Sequence, residues 1–154
     1  MSLAVGQIAP NASGRLPDHS TFSVHGARGR VLVLFFYPKD FTAGCTREVC
    51  SFRDAFAELS AEGGARFVGV SRDDVETHRR FIAAYSLPYE LVADPDGEMG
   101  TVFETKRLGG LLPFPKRVTY VIDAAGVIRG IFHHDLAIDQ HVADVRRCLA
   151  SLPP

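Results

Sequence analysis

Residues 30–37, RVLVLFFY, form an unbroken run of β-branched, aliphatic and aromatic side chains held between Gly29 and Pro38. A run this short and this apolar reads as one strand buried on both faces, since an amphipathic strand would alternate and a helix would need about ten residues or more. Pro38 has no N–H to continue a ladder and closes the strand. Such a strand needs covering layers on either side, and the rest of the chain supplies them. Val49, Phe52, Phe56 and Leu59 fall at helical spacing in a helix of about five turns that starts near Cys45 and stops at Gly63 and Gly64. A strand at 66–70 follows, then a helix opened by Asp73 or Asp74 with Phe81, Ile82 and Tyr85 on one face, then a strand at 90–93.

Asp94-Pro95-Asp96-Gly97 makes a turn, a short helix covers 98–103, and the Gly- and Pro-containing stretch 106–116 reads as a loop. Two strand-like runs, 118–123 and 127–133, are joined by Ala124-Ala125-Gly126 as a hairpin, and a last helix spans 139–152. The order β-α-β-α-β-α-ββ-α predicts an α/β fold in one domain over 1–154, a central mixed sheet flanked by helices on both faces.

The chain has 154 residues, 17 Lys+Arg against 18 Asp+Glu and a formal charge of −1. The charges are scattered, so the electrostatic footprint of a nucleic-acid binder is missing. The longest apolar run is strand-sized, which argues against a membrane span, and MSLAVGQIAP lacks the basic and apolar regions of a secretory signal. A cytoplasmic location is the expectation. Three cysteines are few and odd in number for a disulfide scaffold.

The segment YPKDFTAGCTREVC, residues 37–50, places a cysteine where the chain leaves a buried strand and enters a helix. Unpaired backbone N–H groups and the positive end of the helix dipole favour an anionic thiolate there, which makes Cys45 the candidate nucleophile. Thr42 is placed either to cap the helix or to hydrogen-bond the sulfur and an oxygen substrate. The plain alternative is a capped helix with an inert buried cysteine. Cys50 stands five residues on, and ideal helix geometry separates the two Cα atoms by ~8.7 Å. A disulfide needs less than about 7 Å, so bridging them requires the first turns to unwind. Cys148 lies on or beside the apolar face of the last helix, where burial is the simpler reading and an alternative resolving thiol the other.

These residues resemble the peroxiredoxins, in particular the peroxiredoxin Q group, also called bacterioferritin comigratory proteins. The family pattern Pro-x-x-x-Thr-x-x-Cys-x-x-Glu stands here as Pro38, Thr42, Cys45 and Glu48, with the group's second cysteine as Cys50. SFRD at 51–54, the ADPDG turn and RVTYVIDAAGVIRGIF at 117–132 are similar too, and Arg117 matches the family's active-site arginine. Ala43 stands where many relatives have proline, and Pro10-Asn11-Ala12 where an aromatic often follows the proline. The resemblance implies a thioredoxin-like fold and reduction of hydrogen peroxide or organic hydroperoxides without metal or organic cofactor. It implies attack by Cys45 on the peroxide, with Thr42 and Arg117 holding the peroxide oxygens, Glu48 orienting the arginine and Pro38 shielding the sulfur. Cys50 would resolve the sulfenic acid as a disulfide, recycled by thioredoxin or a glutaredoxin-like donor, in a protein that, like many relatives, is a monomer. The apolar loop 108–114 (LGGLLPF) is expected to line the peroxide pocket or a donor-docking face, or to pack as a flap on the core.

Competing readings are a one-cysteine peroxidase, a thiol–disulfide oxidoreductase, which would carry Cys-x-x-Cys, and a non-enzymatic redox-sensing domain. His133 and His134 are adjacent on a strand end and point to opposite faces, so no metal ligand set is assigned. The phosphate-loop and dinucleotide patterns are absent.

Overall fold

The structure is a computed structural model that describes residues 2–61, 64–107 and 110–153. Its centre is a seven-stranded mixed sheet: β1 (Ser13–Arg15), β2 (Thr21–Ser23), β3 (Leu32–Phe36), β4 (Arg66–Ser71), β5 (Glu90–Ala93), β6 (Val118–Ile122) and β7 (Ile128–His133), in the order β2-β1-β5-β4-β3-β6-β7. Strands β3, β4 and β5 run parallel, and β6 lies antiparallel to β3 with Val118 opposite Phe36. The helices are α1 (Ala43–Ala61), α2 (Val75–Tyr85), α3 (Glu98–Val102) and α4 (Asp139–Ser151).

All five residues of β3 are buried, and their alternation feeds two cores. Leu32, Leu34 and Phe36 join Phe22, Val24, Met99 and Phe103 on one face, whereas Val33, Phe35 and Tyr37 meet Phe52 and Leu59 of α1, Phe81 of α2 and Val145 and Leu149 of α4 on the other. Phe35 stacks on Phe52 at 4.7 Å and meets Tyr89 edge-on at 5.7 Å. Burying each large apolar side chain contributes roughly 1.5–3 kcal/mol, so this central strand holds both layers to the sheet.

The helix after β3 begins two residues before Cys45, at Ala43, and runs to Ala61. Of the glycine pair expected to stop it, Gly63 lies outside the described residues and Gly64 has φ +66. Asp74, not Asp73, caps α2, accepting from Thr77 N at 2.8 Å. The 124–126 connection turns on Gly126, whose φ of +88 suits a residue without Cβ. The N-terminal hairpin β1–β2 is an addition to the expected order: its strands are three residues each, too short to show a period, and β1 joins the sheet through Arg15 opposite Ala93. No helix among the described residues is long and apolar enough to cross a membrane.

Candidate active site

The parallel strands share one end of the sheet at their C-termini, and the chain leaving β3 there runs through 38–42 to start α1. Pro38 is half-buried at the strand end, and Thr42 occupies the position before the helix, its carbonyl accepting from Thr46 N at 2.9 Å. Its hydroxyl donates back to Lys39 O at 2.8 Å, and so neither caps the helix nor turns to the sulfur. The first turn of α1 contains no acidic residue, which leaves the positive end of its dipole uncompensated from within the helix. Cys45 sits in that turn at 1% exposure.

Arg117 stands one residue before β6, and the antiparallel register of β6 with β3 carries it back to the start of α1. Its Nη1 lies 3.3 Å from Cys45 Sγ and donates to Glu48 Oε1 at 2.6 Å. Glu48 follows Cys45 by three residues, on the same side of the helix, and is 1% exposed. Burial raises the Glu48 carboxyl to about 7, against the opposing pull of Arg117. Burial pulls Arg117 down, but Glu48 and Cys45 outweigh it and the guanidinium is raised above its ordinary value. Among the described residues, Glu48 Oε2 and Arg117 Nε are buried with no hydrogen-bond partner.

Three further groups shape this cluster, and motif spacing does not reveal them. Asp135 accepts from Arg117 N at 3.2 Å and from Arg107 Nη2 at 2.9 Å, fixing the backbone that carries the guanidinium. Burial would raise the Asp135 carboxyl, but Arg107, His133 and the Arg117 N–H together hold it at about 2. His141 of α4 is fully buried with Nδ1 2.8 Å from Thr119 Oγ1, and burial lowers it to about 4. Gly44 leaves room for Arg117 to lie close: a Cβ there would come within 3.2 Å of both Arg117 Nη2 and Ile138 Cδ1.

The structure thus brings Cys45, Glu48 and Arg117 together, with Thr42 and Pro38 leading into them. Cys50 is half-buried farther along the same unbroken helix, and burial raises its thiol, Arg53 opposing. Cys148 is buried on α4, and its sulfur would lie 3.0 Å from a Cβ built at Gly130 of β7. Of the apolar loop 108–114, Leu108 and Gly109 lie outside the described residues. Gly110, Leu112 and Phe114 line a cavity of about 210 Å³ with Phe36, Arg72 and Thr105, and none of Pro38, Thr42, Cys45, Glu48 and Arg117 lines it. The cavity opens beside Phe36, whose side chain belongs to the core on the sheet face away from α1. It is therefore not a peroxide pocket around the thiol.

Among the described residues, Asp40, Asp73 and His78 bring three potential metal-ligand atoms within 4.8 Å of one another. Each of these side chains is already engaged in hydrogen bonds within the protein.

The sequence profile of the AhpC/TSA family matches residues 5–131. A Coxiella burnetii protein assigned to the bcp peroxiredoxins is 36% identical over 149 residues, covering 94% of this chain and 97% of its own length. Chloroplastic peroxiredoxin Q of Oryza sativa subsp. japonica is 34% identical over 148 residues, 96% of this chain and 67% of that one. Among solved structures, peroxidoxin BcpB of Mycobacterium tuberculosis superposes with a TM-score of 0.87 at 30% identity, covering 97% of this chain and 98% of the other. Likeness of this length in both sequence and structure makes the chain a member of the AhpC/TSA family, a peroxiredoxin of the bacterioferritin comigratory or peroxiredoxin Q group and hence a thiol peroxidase.

Proposed function

We propose that Cys45 is the peroxidatic residue and that the chain, as one thioredoxin-like domain over 1–154, reduces hydrogen peroxide and organic hydroperoxides. The observation that carries this reading is the 3.3 Å approach of Arg117 Nη1 to Cys45 Sγ in a site where both are buried. A fixed guanidinium favours the thiolate and then the negative charge that develops on the peroxide oxygens. The Cys45 thiolate attacks one peroxide oxygen, the O–O bond breaks, and the leaving oxygen takes a proton as water or alcohol, leaving Cys45 as a sulfenic acid. Thr42 donates its hydroxyl hydrogen bond to Lys39 O, so toward a hydroperoxide O–H its oxygen acts as an acceptor. Glu48 aims Arg117 through its 2.6 Å bond, and Pro38 covers the approach to the sulfur.

Cys50 then attacks the Cys45 sulfur, expelling water and forming a disulfide, which a dithiol donor of the thioredoxin or glutaredoxin kind reduces by exchange. In the wound helix the two cysteines are held apart and burial raises the Cys50 thiol. Unwinding the first turns removes both obstacles. The protein acts as a monomer in the cytoplasm.

The test is one equivalent of hydrogen peroxide added to the reduced protein, with mass mapping of the thiols in wild type, Cys45→Ser and Cys50→Ser. A Cys45–Cys50 link that both variants lose is the expected result. A persistent sulfenic acid on Cys45 with Cys50 untouched in wild type would replace the two-cysteine cycle by a one-cysteine one, and an inert Cys45 would remove the assignment.

A further inference from the structure

A second buried polar cluster flanks the start of α1, and the peroxidase chemistry does not use it. Asp40, in the connection between β3 and α1, is 3% exposed, and His78 of α2 is fully buried. Asp40 Oδ2 lies 2.6 Å from His78 Nδ1, and Tyr37 donates its O–H to Asp40 Oδ1 at 2.5 Å. Burial, reinforced by Asp40, raises the Tyr37 phenol well above its ordinary value, so it keeps the proton it donates. His78 Nε2 is 3.1 Å from Val92 O in β5. A carbonyl only accepts, so Nε2 carries hydrogen and the ring orientation is fixed. The Asp40 backbone is held as well, its N–H donating to Asp73 Oδ2 at 2.9 Å, the same oxygen that accepts from Ser71 Oγ at 2.5 Å. Every side-chain polar atom of Tyr37, Asp40 and His78 has a partner.

The next residue has the opposite character. Phe41 sits at φ +63, a left-handed conformation that costs a bulky residue energy; the residue is 49% exposed, and its ring rests on Phe81 of α2 at 4.8 Å. Two residues later α1 begins. A fully bonded residue is therefore followed at once by a strained one, on the chain segment that must give way if Cys45 is to reach Cys50. Strain is relieved by opening at Phe41, whereas opening at Asp40 would take its carboxylate away from Tyr37 O–H and His78 Nδ1, both of which are buried.

We propose that Asp40 and His78 are positioning residues for Cys45: their buried pairing clamps the segment ahead of α1 to α2 and β5, and makes Phe41 the hinge about which the first turns of α1 wind and unwind. The proposal rests on the reading of Cys45 as the peroxidatic thiol. With the clamp in place the wound state dominates, and Cys45 stays beside Arg117. Without it the first turns open more often, Cys45 withdraws from the arginine, and Cys50 finds it sooner.

The experiment compares the reduced full chain with its His78→Leu and Tyr37→Phe variants, the second being mild because it leaves the Asp40–His78 contact in place. Amide hydrogen exchange is read over 41–50 and over β3 and β5, beside the rates of Cys45 oxidation by hydrogen peroxide and of Cys45–Cys50 bond formation. In His78→Leu, exchange over 41–50 is expected to accelerate about tenfold more than in the strands, with oxidation slowed and disulfide formation hastened. Tyr37→Phe shows the same pattern at roughly threefold, and it decides the matter if His78→Leu does not fold. Equal acceleration everywhere, or unchanged exchange over 41–50 in both variants, overturns the clamp. If wild-type Cys45 proves inert to peroxide the peroxidatic assignment falls, and the exchange contrast alone then judges the clamp.

Discussion

Two buried polar clusters meet at the start of α1, one in the connection ahead of it and one around its first turn, and they are finished to different degrees. Around Asp40 and His78 each donor meets an acceptor. Around Cys45 and Arg117 the pairing stops short: Glu48 Oε2 and Arg117 Nε are buried without partners among the described residues, and burial raises the Glu48 carboxyl to about 7 although a guanidinium lies 2.6 Å away. A complete network stabilises and fixes geometry, whereas an incomplete one in the same dry surroundings costs stability and keeps hydrogen-bonding capacity free for a reacting group. The contrast assigns holding to one cluster and chemistry to the other.

That division is open to experiment. Arg117→Met is expected to have the largest effect, slowing peroxide oxidation of Cys45 by about 10²–10³, as loss of a charge-stabilising donor does, measured by stopped-flow under single-turnover conditions. His78→Leu should cost about 3 kcal/mol in urea unfolding, since it leaves Asp40 buried without its ring partner. A cost below that of Arg117→Met would break the comparison.

Glu48→Gln should separate stability from rate. The folded carboxyl is raised, so its stabilising contribution is full below the unfolded value near 4.5 and is lost as pH rises through about 7. At pH 8 the Gln variant should therefore be more stable than wild type by about 1 kcal/mol, while oxidising Cys45 about tenfold more slowly because Arg117 is held less firmly. The wild-type rate should fall as pH drops through about 7, and the variant should lack that limb. His141 carries the opposite sign: its lowered value means stability is present above 6.5 and lost as pH falls through about 4, by an amount of order 1–3 kcal/mol that His141→Gln should flatten in a pH series of unfolding midpoints. The smallest effect is expected from Gly44→Ala, about threefold on oxidation rate with little change in stability, because the new methyl must displace Arg117 Nη2 and Ile138 Cδ1 by only a few tenths of an ångström.

Local information decided which of these features could be read from the chain. The β3 run, the Glu90–Ala93 strand and the α1 periodicity are written in consecutive side chains, and their elements match to within two residues at the boundaries the structure describes. The strands β1 and β2 carry only three residues each and take their stability from neighbours, so nothing local marks them. Within the site, Cys45 and Glu48 share one turn and are legible together, and Arg117 enters through resemblance. Asp135 is not legible, because its value lies in meeting a backbone N–H 18 residues away. His78 was within reach: it precedes Phe81, Ile82 and Tyr85 by three, four and seven residues, the spacing of one helix face, and a histidine on that face is buried with them. Its partner Asp40, 38 residues earlier, is set by tertiary structure alone. Thr42 shows a further limit, since residue type admits a cap and the hydroxyl rotates to Lys39 instead.

The unbroken helix from Ala43 to Ala61 bears on electrochemistry as well as on geometry. In the cycle proposed above, the thiol form is the wound form and the disulfide form has lost its first turns. Whatever free energy the helix regains on rewinding is released together with the two electrons accepted from the donor. For a two-electron couple each kcal/mol so recovered lifts the reduction potential by about 20 mV. Rewinding thus makes the disulfide a stronger oxidant toward an incoming dithiol than an unstrained bridge of the same ring size, and Tyr89, whose O–H holds the Val49 carbonyl at 2.5 Å, keeps a wound stem from which the turns can re-form.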